Sequence, residues 1–100
     1  MGFILMIFSF FSIASELSVA DNLINRLELA ETDSERVLLQ IDLCSLYKNE
    51  NSNIALEWAK KAYELAKRID NKNGIELSLR AIRSIADVQK NYSDLYMSNN

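Results

Sequence analysis

The sequence has no histidine and no proline, a single cysteine at position 44, and glycine only at positions 2 and 74. Each shortage excludes something. Without histidine there is no His-ligated metal centre, no Ser-His-Asp triad and no Cys-His pair. A lone cysteine allows no intrachain disulfide. Cys44 falls where a small apolar residue would pack on a helix, so it reads as an inert core thiol. Scarce glycine leaves no Gly-rich phosphate loop, and without proline the chain can run as long helices. Neither sign of charge dominates: the net charge is −3, with both signs interspersed. No basic stripe marks a nucleic-acid footprint. The densest cations, Lys60, Lys61, Lys67 and Arg68, sit among Glu57 and Glu64. The i,i+4 spacing pairs Glu57 with Lys61 and Glu64 with Arg68, which describes a solvated, ion-paired helix face.

No metal or cofactor is expected, and no enzyme. Residues 70–74, Asp-Asn-Lys-Asn-Gly, carry Lys72 where a calcium loop needs a ligand and lack its closing Glu. Carboxylate pairs such as Glu28 and Glu31 imply no pocket. Asn91-Tyr92-Ser93 is a formal glycosylation sequon, short and common.

Charge is also missing from the start of the chain, where the first ionised side chain is Glu16. Residues 3–14 form an apolar run too short to cross a bilayer, which takes about 20 residues. The length suits the core of a secretory signal peptide, and Ser12-Ile13-Ala14 and Ser18-Val19-Ala20 are small-residue cleavage patterns. The usual Lys or Arg ahead of the run is missing. An uncleaved membrane anchor and a buried helix are the alternatives. The expected location is therefore exported, periplasmic or extracellular, with membrane anchoring by residues 3–14 as the second possibility.

What remains is rich in Ala, Leu, Glu, Lys and Arg, the composition of packed helices. Residues 16–31 carry Ala20, Leu23, Ile24, Leu27 and Ala30 at helical spacing. Thr32 with Glu35 forms a capping-box pattern ahead of a helix over residues 34–48. That helix is apolar around most of its circumference, so neighbours should cover it on two sides. After a polar break, Asn53 is placed to cap a helix over 54–69, with Ile54, Ala55, Trp58, Ala59, Ala62, Leu65, Ala66 and Ile69 along one face. Gly74 suits a left-handed position closing that helix. A last helix is expected over 75–90, then a turn and cap at residues 91–94, with 95–100 too few for a helix of their own. Short connections favour antiparallel neighbours. The fold class is all-α, antiparallel helix hairpins stacked as a short α-α superhelix.

The pattern of Leu43, Leu46 and Tyr47 returns in Ile82, Ile85 and Ala86, an offset of 39 residues from 43 to 82. With Cys44 at a small position, Tyr47 at an aromatic one, Ala55 and Ala62 at the small positions of the next helix and Trp58 near its aromatic one, residues 37–92 resemble the tetratricopeptide repeat family. Residues 69–74 are similar to the link of that family's longer variant. The second unit departs from the pattern, with Arg83 at the small position, Ala86 at the aromatic one and Leu95 where Ala should begin the next helix. The chain then divides into residues 1–20, the apolar N-terminal segment, and 21–100, the repeat domain. Its parts are a leading helix at 16–31, a full repeat at 36–74 and a partial repeat at 75–100. The start is also similar to that of exported bacterial repeat proteins, in many of which the array precedes a membrane helix and an output module. No output module is present here, so the chain resembles the front of a longer protein or a truncated frame.

The resemblance implies a non-enzymatic module that binds a protein or peptide, in a groove lined by the first helix of each unit. Leu38, Ile41, Ser45, Lys48 and Asn49 would face it from the first unit, and Leu77, Arg80, Ser84 and Asp87 from the second. The family's Lys and Asn clamp for a C-terminal carboxylate is not carried over, because Ile41 and Ser45 stand at its positions. Arg80 is left as the anion contact. In the alternative, the leading helix covers Leu38 and Ile41, and the chain is a structural fragment or a small helical bundle. Membrane association through residues 3–14 is a weaker third possibility.

Overall fold

The computed structural model describes the backbone of residues 18–98 and the side chains of residues 18–91. Those residues are all-α, with no strand among them: α1 (Val19–Leu29), α2 (Asp33–Tyr47), α3 (Ser52–Arg68) and α4 (Lys72–Ser98). The apolar run at 3–14 and the first cleavage pattern lie outside the described residues. No described helix is long and apolar enough to cross a membrane.

Each helix starts where a side chain takes up an orphan backbone N–H. Ser18 Oγ accepts from the Asp21 N–H at 2.9 Å, so α1 begins later than residue 16. Thr32 Oγ1 accepts from the Glu35 N–H at 3.2 Å, the forward half of the expected capping box. The cap of α3 is Asn51, whose Oδ1 accepts from the Ile54 N–H at 3.2 Å. Asn53, the expected cap, lies inside the helix, and its Oδ1 accepts from Gln89 Nε2 at 2.9 Å.

Between α1 and α2, Arg36 acts as a clasp. Its guanidinium donates to the Ala30 carbonyl at the end of α1 and to Asp33 Oδ1 at the start of α2, both at 2.6 Å. A cation at a helix C-terminus satisfies a free carbonyl and suits the helix dipole. Ala30 is buried beneath this contact.

The link from α3 to α4 corrects the expectation for Gly74. Asp70, not the glycine, adopts the left-handed backbone, with φ 56°. The Asn71 N–H donates to Ala66 O at 2.8 Å and the Asp70 N–H to Lys67 O at 3.1 Å. These are the two bonds of a Schellman closure. Asn71 then starts the next helix, its Oδ1 accepting from the Gly74 N–H at 3.0 Å. Gly74 sits buried within α4 because the helices meet there: a Cβ on it would stand 2.9 Å from Val37 Cγ1 and 3.1 Å from Ala66 Cβ. Ser78, one turn on, is also fully buried, and its hydroxyl donates to Gly74 O at 2.8 Å and Ile75 O at 3.0 Å. Two small residues on successive turns let α4 lie close to its neighbours.

The expected turn at residues 91–94 does not form; α4 continues as one helix of 27 residues. Nothing between Ile75 and Ser98 is Pro or Gly. Extending a nucleated helix adds a hydrogen bond per residue, which outweighs a few tenths of a kcal/mol each for Asn, Ser and Asp. At 1.5 Å per residue α4 is about 40 Å long against about 25 Å for α3. Gln89 meets Ser52 and Asn53 at the start of α3, so the last turns of α4 run past that end.

Packing follows chain order. α3 lies against both α2 and α4, α1 against α2, and α2 touches α4 over a shorter stretch. One core cluster joins Val37 of α2 to Ala62, Leu65 and Ala66 of α3, with Ile75 of α4 against it. The second joins Cys44, Ala55, Ala59 and Ile85. The alanine face of α3 explains the close approach: Ala55, Ala59, Ala62 and Ala66 are all fully buried. Buried residues lie on opposite sides of α2, Val37 and Cys44 toward α3, Leu39 and Leu43 about 200–240° round from Val37. That helix is covered on two sides, as its pattern requires. The slab is 13 Å thick, the depth of two helix layers with axes 8–10 Å apart.

Candidate functional site

Seven of the nine residues expected to line a groove lie on α2 or α4, which are in direct contact, and Lys48 and Asn49 follow the end of α2. Leu38 and Ser45 are solvent-exposed on one strip of α2, Asn49 is exposed in the turn that follows the helix, and Leu38 retains half of its surface. The leading helix therefore does not cover Leu38. Ile41 is different. It packs against the Val37, Ala62, Leu65 and Ala66 cluster, so it belongs to the core more than to a ligand surface. Lys48 is half-buried at the C-terminal cap of α2. On α4, Leu77 and Ser84 are half-buried, and Arg80 and Asp87 are exposed. Arg80 is not an unengaged anion contact: its Nη2 donates to Glu76 Oε1 at 2.8 Å.

The 39-residue offset separates two faces of these helices. Leu39, Leu43 and Leu46 of α2 correspond to Ser78, Ile82 and Ile85 of α4, each packed or fully buried on α4. Val37, Ile41 and Cys44, which face α3, correspond to Glu76, Arg80 and Arg83, all exposed. The face of α4 equivalent to the one α3 covers on α2 is thus charged and wet.

A cleft that was not foreseen lies elsewhere, and none of the nine residues lines it. It is open, about 470 Å³, and lies between α2 and α3. Asp33, Arg36 and Gln40 of α2 contribute to it at i, i+3, i+7 spacing. From α3 come Lys60, Lys61, Glu64, Leu65 and Arg68. The ion pairs expected within α3 do not form; among the described residues the pairs seen are Arg36–Asp33 and Arg80–Glu76. Instead Lys61 Nζ lies 4.7 Å from the Trp58 ring centroid and Lys67 Nζ 5.2 Å from that of Tyr63. A ring face competes with an exposed carboxylate, since both attractions are worth about 1 kcal/mol or less at a surface. Gln40 Oε1 is buried and has no hydrogen-bond partner. The sequence signal was present in the helical line of Asp33, Arg36 and Gln40, but only tertiary packing shows that it faces Lys61 and Arg68.

Cys44 is buried, as expected of a core thiol. Burial pushes its pKa above the ordinary thiol range, with a smaller opposing effect from the charge of Lys48. A thiol kept protonated is a poor nucleophile. No group of three or more potential metal ligands converges among the described residues.

No protein-family model, curated protein or solved structure matches the chain.

Proposed function

We propose that the chain is a helical-repeat interaction module of the tetratricopeptide type, binding a protein or peptide without catalysing a reaction. In this reading α2 and α3 form one repeat, α4 is the first helix of the next, and α1 stands where a preceding second helix would lie. The observation that carries it is the packing order. α3 sits between α2 and α4, α1 touches α2, and the first-helix positions meet more lightly, as in a stack whose units contact their neighbours. Support also comes from the small positions of the pattern, since Cys44, Ala55 and Ala62 are all buried. The proposed binding surface takes the exposed Leu38 and Ser45 of α2 and Asn49 just after it, with the half-buried Leu77 and Ser84 of α4. Leu38 is the apolar anchor.

The face of α4 that corresponds to the α3-covered face of α2 carries Glu76, Arg80 and Arg83, all exposed. Export rests on the apolar run at 3–14. Of the two cleavage patterns, the one ending at Ala14 keeps Ser18, the cap of α1, while cleavage after Ala20 removes it.

The test is selection of peptides from a displayed random library on the full chain, followed by affinity measurement on Leu38→Asp and Ser84→Arg. Enriched peptides that both substitutions weaken support the reading. No enrichment, or binding indifferent to both, overturns it.

A further inference from the structure

We propose that Asn73 is the site at which this chain deamidates, and that the Asn71 side chain sets the rate by holding the Gly74 nitrogen that attacks it. The inference goes beyond the groove reading and does not rest on it.

The chemistry comes from two neighbours in the chain. Gly74 follows Asn73, and this is the sole Asn-Gly step in the sequence. In deamidation the backbone nitrogen of the next residue attacks the asparagine side-chain carbonyl carbon. A C–N bond forms and closes a five-membered succinimide. The attacking nitrogen gives up its proton, and the side-chain nitrogen leaves as ammonia. Water then opens the ring at either carbonyl, giving aspartate or isoaspartate, with no change of oxidation state. Glycine permits the attack most readily, because no Cβ crowds its nitrogen.

The structure exposes one partner and restrains the other. Asn73 is exposed, so water reaches its side chain, while Gly74 is buried. The Gly74 N–H is one of the orphan donors in the first turn of α4, and Asn71 Oδ1 accepts it at 3.0 Å. The Asn71 carbonyl accepts the next N–H, that of Ile75, at 2.9 Å. Ring closure requires ψ at Asn73 to rotate out of the helical range. That rotation breaks both bonds and moves Gly74 away from Val37 and Ala66, against which it packs. Deamidation therefore waits on local opening of the first turn of α4, which the Asn71 cap opposes.

The two products affect the fold differently. Aspartate places a negative charge in the first turn of α4, where the helix dipole favours it. Isoaspartate routes the backbone through the side chain and adds a methylene just ahead of Gly74. The glycine has no room to shift beside Val37, so isoaspartate loosens the start of α4.

The test incubates the full chain in mildly alkaline buffer, with peptide mapping by mass spectrometry and isoaspartyl-methyltransferase labelling. Expected is conversion at Asn73 ahead of every other asparagine, slow in the folded chain and faster in urea. Asn71→Ala should raise the folded rate about fivefold and leave the urea rate unchanged. Asn71→Asp, which keeps an acceptor oxygen at the cap, should hold the slow folded rate. Thr32→Ala removes the corresponding cap from α2 and should leave the folded rate unchanged, because the opening is local. Circular dichroism confirms that each variant folds. The separated isoaspartyl form should melt below the unmodified chain, whereas Asn73→Asp should not. Four results overturn the proposal: faster conversion at another asparagine, a folded rate equal to the urea rate, a folded rate that Asn71→Ala leaves unmoved or that Thr32→Ala raises equally, and an isoaspartyl form as stable as the unmodified chain.

Discussion

Gly74 and Val37 touch so closely that a Cβ on the glycine would come within 2.9 Å of Val37 Cγ1. α2 and α4 meet at this point, and the contact sets how near the two helices can lie. Gly74→Ala should gain up to about 1 kcal/mol of helix propensity and lose about 1–3 kcal/mol to overpacking, for a net loss of stability. Val37→Ala makes room, so in urea unfolding the double variant should lose less than the sum of the two singles. Simple additivity would show that the contact is not tight.

Asp70 carries the left-handed backbone, and a non-glycine residue there is strained by about 1–2 kcal/mol. Asp70→Gly removes the strain at some cost in unfolded-chain entropy, so the midpoint of thermal unfolding should rise modestly. A fall would mean that the Asp side chain stabilises the link in a way its backbone does not reveal.

Arg36→Ala should free the C-terminal end of α1. The guanidinium supplies two short bonds across the α1–α2 turn, and charge-assisted hydrogen bonds of this kind are worth about 1.5–3 kcal/mol when partly buried. Amide exchange in α1 should accelerate while that in α3 stays slow. Equal acceleration in both helices would show that α1 is not a separate unit of stability.

The buried Cys44 thiol gives stability a pH dependence. Its folded pKa lies above its unfolded one, so the folded state holds the proton more tightly. The contribution is fully present below the unfolded thiol pKa of about 8.5 and is lost as the pH climbs through the folded value. Unfolding at increasing alkaline pH should therefore show a loss that Cys44→Ala lacks, after allowance for the cavity that substitution leaves. Native-state alkylation at pH 8 should be slow and follow local opening. Fast labelling would mean that the thiol is accessible.

Most of the fold was legible from local chemistry. Thr32 marked the start of α2, and the two-sided apolar pattern of α2 required cover on both sides. The Ala55, Ala59, Ala62 and Ala66 stripe marked the face of α3 that its neighbours approach. The errors came where two local signals competed. Asn51 and Asn53 are both capable caps, and position relative to the first free N–H chose Asn51. Gly74 suggested a left-handed turn, yet Asp70 took that backbone and the glycine was used for close packing. At residues 91–94 the polar residues suggested a turn, but nothing there is strong enough to stop a helix already running. Of the residues expected on a ligand surface, Leu38 and Ser45 are exposed as periodicity requires, while Ile41 packs into the core against α3. The cleft was hidden because it depends on which side of α3 faces Gln40, a tertiary fact.

The most direct test of a binding groove between α2 and α4 is chemical-shift mapping of a library-selected peptide on the isotope-labelled full chain. Shifts concentrated at Leu38, Ser45, Asn49, Leu77 and Ser84 are the predicted result. Shifts confined to other surfaces, or spread evenly along all the helices, would contradict it.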